Sequence, residues 1–344
     1  MHIEKKDFIK ILDFLNLNGL NIDQNFLPKP IGRGQSNPTF VIQDNNSNLK
    51  VLRMQPPGEL VRGAHRVDRE FLVLKALKEK NFIVPEPIFL CTEKSILGRD
   101  FYLMEFVEGS IYEDPFLNGA EKESKSAIYK SLAKSLGCLH SFNIEELGIA
   151  FKKNPGFMKR NLGVWYNQIF SEEKEKDIEI EKIYNFVVKN LPDDSKISLL
   201  HGDYKLDNIV VGNDMECKAI LDWELSSFGE READLSFQMI NWLIPKDTLY
   251  GLGGEWYQSN LPSAQKFLTW YEEALGESVN VELLNLSCLY SLTKLFCILK
   301  GIENRIKGGN AASEDAMTKA QAAEGVKTVL LEAFGNYPNK LIVE

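Results

Sequence analysis

The hydrophobic pattern of the chain changes near residue 107, and this change constrains the fold more than any other feature of the sequence. Before it, short apolar segments bounded by turn residues predict strands at 28–42, 49–54, 88–92 and 101–106, with one helix at 67–79. Beyond it, apolar residues recur every three to four positions over long segments, which predicts helices at 125–142, 160–170, 175–190, 232–242, 263–275, 281–307 and 313–334. The pattern therefore predicts an α+β fold with two lobes, a small antiparallel β-sheet lobe followed by a mostly helical lobe.

The predicted lobes are residues 1–107 and 108–344, with a hinge between them at 105–109. The first twenty residues have the amphipathic pattern of a helix. Within the helical lobe, residues 198–223 are rich in Leu, Ile and Val and contain a turn at 212–214, which predicts two short strands. Because this hairpin lies among helices, we expect one two-lobed unit and not two independent domains.

The composition excludes some classes of partner. The chain has 49 acidic and 40 basic residues, a formal net charge of −9, and no long basic run, which argues against a nucleic-acid partner. Its five cysteines are scattered, so we expect reduced thiols in a cytoplasmic protein. Polar residues interrupt the longest apolar segment, 283–299, which predicts a buried helix and no membrane partner.

One loop carries residues suited to phosphoryl transfer. The segment 201–208 reads His-Gly-Asp-Tyr-Lys-Leu-Asp-Asn, and the predicted hairpin that follows it ends at Asp222. Phosphoryl transfer needs a carboxylate that accepts the proton of the attacking hydroxyl, and oxygen ligands for the Mg²⁺ on the nucleotide phosphates. The spacing assigns Asp203 as the base, and Asn208 and Asp222 as metal ligands. The alternative is a plain loop in which Asp caps a helix and Asn forms a turn.

This loop, with the Asp-Trp pair downstream, resembles the catalytic and metal-binding loops of the aminoglycoside phosphotransferase and choline kinase families. The resemblance implies the protein-kinase-like fold, ATP and Mg²⁺ as cofactors, and an enzyme that phosphorylates a hydroxyl group. We expect His201 to organise the loop through hydrogen bonds and His140 to be a packed histidine. Asp234 is predicted to brace the loop from the helix that follows.

Candidates for nucleotide binding lie upstream. A glycine-rich turn between two predicted strands contains Gly32, Gly34 and Ser36, which would contact phosphates through backbone N–H groups and the hydroxyl; the alternative is a plain hairpin turn. Kinases of this fold carry a basic residue on the third strand, where this chain has Arg53, and Glu70 on the next helix would brace it. The alternative for Glu70 is a solvated helix face.

The predicted strand at 101–106 leads into the hinge. Adenine would lie between apolar side chains there and hydrogen-bond to the backbone, which assigns Met104, Glu105 and Val107 to nucleotide binding. The alternative is a core strand without a ligand.

Further segments narrow the resemblance. Those at 34–39, 51–53, 221–225 and 298–302 look like the kinase-like domain joined to acyl-CoA dehydrogenases of families ten and eleven, and like free-standing bacterial proteins assigned to the aminoglycoside phosphotransferases. For the mammalian relatives the implied substrate is a hydroxyacyl-CoA. The sequence departs from the family at 228–231, where Phe-Gly-Glu-Arg stands in place of the common Gly-Asp-Pro.

Only eleven residues separate Asp222 from Asp234, too few for the long activation segment with which protein kinases dock peptides. We therefore expect a small hydroxylated molecule as the substrate. The residues predicted to contact it are Arg160, Trp165, Trp223 and Glu224. Three functions stay open: a kinase for a hydroxyacyl-CoA or hydroxy acid, a kinase for an aminoglycoside or other small alcohol, and an inactive pseudokinase that senses its ligand. No heptad pattern predicts an oligomeric state.

Overall fold

The structure, a computed structural model, describes residues 3–32, 37–58, 65–153, 155–170, 177–193, 195–249, 251–307, 314–339 and 341. Its helices are α1 (Lys5–Leu17), α2 (Val67–Glu79), α3 (Lys94–Leu97), α4 (Lys122–Ser141), α5 (Phe157–Phe170), α6 (Ile178–Asn190), α7 (Glu232–Met239), α8 (Ala264–Leu275), α9 (Val281–Lys307) and α10 (Glu314–Asn336). Its strands are β1 (Lys29–Ile31), β2 (Thr39–Gln43), β3 (Leu49–Met54), β4 (Pro87–Cys91), β5 (Phe101–Glu105), β6 (Ile197–Leu200), β7 (Ile209–Val211), β8 (Cys217–Ile220) and β9 (Ser227–Glu230).

The first five strands form one antiparallel sheet in the order β1-β2-β3-β5-β4. Side chains alternate across it, so Leu52 and Met54 of β3 pack in the cluster that contains α1. Val51 and Arg53 take the opposite face, where Val51 joins the larger core and α2 packs against β4 and β5. The alternation therefore directs the Arg53 side chain toward α2 and the rest of the protein. The predicted two-lobe α+β fold is confirmed.

Glu70 belongs to the buried face of α2. It lies between Val67 and Val73 on the stripe that packs inward, and only 2% of its surface is exposed. The alternative of a solvated helix face for Glu70 is therefore wrong. A buried carboxylate needs a partner, and the site described below supplies one.

The helical lobe is built around α9, which contacts α5, α6, α7 and α10. This helix is long and apolar enough to cross a membrane, but 67% of its apolar window is buried inside the protein, as is typical of a core helix. Helix α4 packs so closely along α8 that an added Cβ at Gly137 would overlap the Tyr271 carbonyl oxygen.

The segment between the helices holds two strand pairs. Strands β7 and β8 form the predicted hairpin, but the pairing of β6 with β9 was missed. Strand β9 contains most of the unusual 228–231 sequence, and its Glu230 carboxylate accepts hydrogen bonds from the backbone N–H groups of Phe157 and Met158 at 3.0 and 2.9 Å. Residues of this segment therefore pair with β6, and the Glu230 side chain caps the start of α5.

The chain crosses between the lobes after β5. Ser110 and Val211 exchange two backbone hydrogen bonds of 2.8 Å, which attach the crossing segment to β7. An added Cβ at Gly109 would lie 2.6 Å from the Val211 carbonyl oxygen, so this close contact requires glycine. The lobe boundary at residue 107 stays a prediction.

Candidate active site

The loop at 201–208 is held from two sides. His201 donates from Nε2 to the Leu221 carbonyl at 2.8 Å and accepts the Asp203 backbone N–H at Nδ1. The Asp234 carboxylate accepts the backbone N–H groups of His201 and Gly202 at 2.6 and 3.0 Å. These contacts match the predicted roles of His201 and Asp234, and they order the backbone on both sides of Asp203.

Asp234 is buried at the start of α7, with His140 beside it. The two side chains approach to 3.5 Å, and the His140 Nδ1 is hydrogen-bonded to the Tyr271 hydroxyl at 2.8 Å. Burial by itself raises the pKa of the Asp234 carboxyl, but the hydrogen bonds and charges of His140 and His201 lower that pKa overall. His140 is a packed histidine, as predicted.

The Asp203 side chain is 30% exposed and is contacted from its own loop. Asn208 donates from Nδ2 to the Asp203 backbone oxygen at 2.9 Å and to its Oδ2 at 3.2 Å. Lys205 places Nζ 3.2 Å from the same Oδ2 and 3.4 Å from Asp207. Sequence reasoning missed Lys205, although it is two positions from Asp203 and its own backbone is extended, a geometry that directs alternate side chains to one side.

Arg53 joins α2 to the segment after β8. Its Nε donates to Glu70 Oε2 at 2.9 Å, and its Nη2 donates to Asp222 Oδ1 at 2.6 Å. Burial alone lowers the pKa of Arg53, but the surrounding carboxylates raise it overall. Burial raises the pKa of Glu70, and the Arg53 charge opposes that shift. The predicted pairing of Arg53 with Glu70 is present, and the guanidinium also binds a predicted metal ligand.

Glu224 completes this charge cluster. Its Oε2 lies 3.7 Å from Arg53 Nη2 and accepts a hydrogen bond from the Asn37 amide at 3.1 Å. Burial, followed by the charge of Asp222, raises the pKa of Glu224 to about 7, while Arg53 opposes the shift. Glu224 is therefore at the site, and Asn37 is a further contact that sequence reasoning did not assign.

Asp222 and Asn208 lie on segments that are hydrogen-bonded to each other, through the Leu221 N–H and the Asn208 carbonyl at 2.8 Å. Asp222 has a left-handed backbone with φ of 66°, between β8 and a short 3₁₀ helix at Trp223–Leu225. Carboxylate and amide oxygens suit Mg²⁺, which proteins hold with one or two carboxylates while substrate phosphates supply further ligands. Among the described residues no group of three His, Cys, Asp or Glu side chains could hold a metal alone. The donor types of Asn208 and Asp222 fit such a magnesium ion.

The residues predicted to bind the nucleotide lie in different surroundings. Met104 is buried on β5, and the backbone N–H of Glu105 donates to the Glu86 carbonyl at 2.9 Å, so that N–H is not free for adenine. Gly32 follows β1 with φ of 85° and has no atom within 4 Å of an added Cβ. Gly34 and Ser36 lie outside the described residues. Val107 follows β5 in the crossing segment and is partly buried.

One predicted substrate contact is wrong. Trp223 is completely buried, and its indole N–H donates to the Ile220 carbonyl at 3.0 Å, so the ring packs in the core and presents no surface to a substrate. Arg160 is exposed near the start of α5 and donates to the Pro155 carbonyl, whereas Trp165 packs half-buried against the core. Substrate contacts by Arg160 and Trp165 stay predictions.

The loop around Asp203 and the Arg53 cluster define a site of the phosphotransferase type, and comparison with known proteins agrees. The sequence profile of the phosphotransferase enzyme family (APH) matches residues 28–267, and the chain belongs to this family.

Acyl-CoA dehydrogenase family member 11 of Rattus norvegicus is 37% identical over 297 residues, which are 85% of this chain and 38% of that protein. The chain thus spans well under half the length of this relative. A Ralstonia eutropha JMP134 crystal structure, assigned to the aminoglycoside phosphotransferases, has a TM-score of 0.82 at 24% identity and covers 95% of this chain and 98% of its own. The aminoglycoside phosphotransferase APH(4)-Ia, in a ternary complex with AMP-PNP and hygromycin B, has a TM-score of 0.61 at 12% identity, covering 93% of this chain and 97% of its own. At these identities the two structures show a shared fold.

Proposed function

We propose that this protein is an ATP- and Mg²⁺-dependent kinase that phosphorylates a hydroxyl group of a small molecule. The observation that carries the proposal is the joint placement of Asp203 with Asn208 and of Arg53 with Glu70 and Asp222. Phosphoryl transfer needs little covalent chemistry from the protein, so positioned charges of this kind supply most of the catalysis.

Each residue of the site has a separate role in the proposed reaction. Arg53, oriented by Glu70, would hold the nucleotide phosphates, and Asn208 with Asp222 would hold Mg²⁺, which supplies positive charge to the transferred group. Asp203 would orient the acceptor hydroxyl and take its proton. The hydrogen bond from the Asn208 amide and the ion pair with Lys205 hold that carboxylate in place before substrate arrives.

The acceptor is a small molecule, because the chain between the predicted metal ligand and α7 is short and forms strand β9. The rat relative, which matches 85% of this chain, has a name that refers to acyl-CoA. For a kinase that phosphorylates a hydroxyl group, the acceptor consistent with that name is an acyl-CoA that carries a hydroxyl, or the corresponding hydroxy acid. A pseudokinase is disfavoured because no side chain that the chemistry needs is missing from the described residues. The acids Asp203 and Asp222, the amide Asn208 and the basic residue Arg53 are all present.

Replacing Asp203 with Asn tests the proposal. Asp203→Asn should lower kcat about 10²- to 10⁴-fold, the contribution of a general base, and should leave Mg-ATP affinity within about twofold, because the base acts in the transition state. ADP release and phosphorus NMR with hydroxylated acceptors measure turnover, and calorimetry measures ATP binding.

The matched control is Asp207→Asn. Asp207 is an exposed carboxylate on the same loop that also pairs with Lys205, so its removal changes the charge without removing the base. Wild-type protein that neither binds Mg-ATP nor turns over any acceptor would refute the proposed function. Turnover that survives in Asp203→Asn would refute the assignment of the base.

A further inference from the structure

Arg69 on α2 has no role in the mechanism proposed so far. Its Nη2 donates to the Ser226 carbonyl oxygen at 2.8 Å, and its guanidinium carbon lies 3.8 Å from the ring centroid of Phe151. An arginine can make both contacts at once, because its planar group donates hydrogen bonds at the edge and stacks on an aromatic ring with its face. Arg69 is therefore held in one orientation by two neutral partners.

Both partners of Arg69 belong to the helical lobe. Ser226 directly precedes β9 and lies four residues after Asp222, the predicted metal ligand. The Phe151 ring packs edge-on against Phe228 of β9, with 5.4 Å between the ring centroids. Arg69 thus joins α2, in the sheet lobe, to the segment that leads from the predicted metal ligand into β9.

The segment 222–226 is attached to the sheet lobe at every second residue. Its three contacts reach three different parts of that lobe: Asp222 binds Arg53 of β3 at 2.6 Å, Glu224 binds Asn37 just before β2 at 3.1 Å, and the Ser226 carbonyl binds Arg69 of α2 at 2.8 Å. Three attachments in one short segment hold both its position and its orientation against the lobe. The contact from Arg69 is the one that comes from α2.

Helix α2 connects Arg69 to the charge cluster of the site. Glu70, the next residue of the helix, accepts from Arg53 Nε at 2.9 Å, while Asp222 accepts from Nη2 of the same guanidinium at 2.6 Å. Adjacent residues of a helix move together, because hydrogen bonds between successive turns hold its backbone. The contact between Arg69 and Ser226 therefore holds together the two elements that bring Glu70 and Asp222 to Arg53.

We propose that Arg69 is a positioning residue that holds α2 against the segment 222–226 and so keeps Arg53, Glu70 and Asp222 aligned for the nucleotide phosphates and their metal. The inference rests on the proposed kinase function, and it adds a residue that touches neither the nucleotide nor the acceptor. Arg69 contributes to turnover because placed charges stabilise a transition state only when they are held in the correct positions.

Four variants separate the contacts of Arg69 from general effects on α2. Arg69→Met removes the donors and keeps a long unbranched side chain, whereas Arg69→Lys keeps the charge and loses the planar group. Phe151→Leu removes the aromatic face and keeps an apolar side chain. Lys75→Met is the matched control, because Lys75 is exposed on the same helix.

Steady-state kinetics, measured by ADP release with an acceptor that the wild-type protein phosphorylates, gives the first test. Arg69→Met should lower kcat about 10- to 100-fold, the effect of one hydrogen bond from a charged donor, and should change the KM of the acceptor less than about threefold. Arg69→Lys and Phe151→Leu should have smaller effects of the same kind, and Lys75→Met should behave as wild type.

A double-mutant cycle distinguishes positioning from a purely structural role. Because Arg69 acts through Arg53 and its carboxylates, Arg53→Lys should lower kcat by a smaller factor in the Arg69→Met background than in the wild-type background. A purely structural residue would lower the free energy of unfolding and leave the kcat of the folded protein unchanged.

Amide hydrogen exchange tests the same contact without turnover. The N–H groups of Leu221 and Ser226 donate to the carbonyls of Asn208 and Trp223, so their exchange rates report how firmly the segment is held. In nucleotide-free protein, these amides should exchange at least about fivefold faster in Arg69→Met than in wild type, and at the wild-type rate in Lys75→Met. Denaturant unfolding of each variant separates this local effect from a loss of global stability.

The results that overturn this inference differ from those that refute the kinase function. Wild-type kcat in Arg69→Met, or effects of Arg53→Lys and Arg69→Met that simply multiply, overturn the positioning role and leave the kinase function intact. If the wild-type protein shows no ATP-dependent turnover, the kinase function fails and the exchange rates decide about Arg69. Equal rates in wild type and Arg69→Met then overturn its role, whereas faster exchange in the variant supports it.

Discussion

Arg53 makes more contacts with the other charged groups of the site than any other single side chain described. Its guanidinium bonds Glu70 with one nitrogen and Asp222 with another, on segments 17 and 169 residues away along the chain. A planar group with several fixed donors can satisfy two carboxylates at once, whereas a lysine ammonium acts as a point charge. The arginine therefore orients a predicted metal ligand while it remains attached to α2.

At the scale of single residues, we predict that lysine cannot replace arginine at position 53, so that Arg53→Lys weakens both stability and ATP binding. One ammonium cannot hold both carboxylates in the same geometry, and the buried Glu70 loses part of its partner. We expect unfolding free energy to fall by about 1–3 kcal/mol and Mg-ATP affinity to fall roughly tenfold.

Denaturant titration and calorimetry measure the two effects. The control is Lys50→Met, because Lys50 lies on the same strand three residues away and on the opposite face. An Arg53→Lys protein with wild-type stability and ATP affinity would show that the forked contact is dispensable.

Sequence reasoning selected residues that the structure brings together, where the selection followed from local pattern. The position on the third strand selected Arg53, which pairs with Glu70, and the loop spacing selected Asp203 and Asn208, which are hydrogen-bonded. It failed for Trp223, because a tryptophan beside a metal ligand has the same local signature whether its ring faces solvent or the core.

At the scale of elements, the loop at 201–208, which carries the proposed base, depends on a close approach between two segments. Gly202 has a φ of 87°, and an added Cβ would lie 2.5 Å from the Leu225 carbonyl oxygen. Glycine is needed here both for the left-handed backbone and for the contact with the 3₁₀ turn that follows Asp222. The loop and the segment that carries the predicted metal ligand Asp222 are thus packed backbone to backbone.

Gly202→Ala should separate these segments. We expect the free energy of unfolding to fall by at least about 2 kcal/mol in addition to the cost of the backbone strain. We also expect kcat to fall, because Leu225 cannot move away from the added Cβ without shifting Asp222. Gly19→Ala is the control: its φ of 80° is similar, but no atom lies within 4 Å of the added Cβ. That variant should lose only about 1–2 kcal/mol through strain. Equal losses in the two variants, measured by denaturant unfolding, would contradict the importance of the contact.

Strong local periodicity predicted several elements well. Three predicted elements coincide with those of the structure: the strand at 49–54 is β3, and the helices at 67–79 and 281–307 are α2 and α9. The pairing of β6 with β9 was missed, because each strand has four residues and its partner lies beyond the catalytic loop and a hairpin. Such short strands are stabilised by tertiary pairing and carry little signal of their own.

At the scale of the whole molecule, the charge balance matters for nucleotide binding. With a net charge of −9, the protein has to bind a polyanion against its mean charge. The described cations of the site, Arg53 and Lys205, are already paired with acids. We therefore infer that a divalent cation supplies most of the attraction for phosphate.

Removing Mg²⁺ with EDTA should reduce ATP affinity about 10- to 100-fold, whereas raising salt from about 50 to 200 mM should change it less than about threefold, because screening acts mainly on exposed charges. Calorimetric titration of ATP with and without Mg²⁺, each at low and at high salt, measures both effects. Protein without nucleotide, compared in the presence and absence of Mg²⁺, controls for effects of the metal on stability. Salt dependence that exceeds the effect of Mg²⁺ would contradict the inference.

By itself the sequence determined the class of fold and the longer elements, and it singled out the loop that carries the proposed base, because hydrophobic period and loop spacing depend on neighbours along the chain. Tertiary structure decided the rest. It buried Glu70 and Trp223, and it joined Arg53 to Asp222. These contacts join residues far apart in the chain, and they depend on how whole helices and sheets pack, which no local pattern encodes.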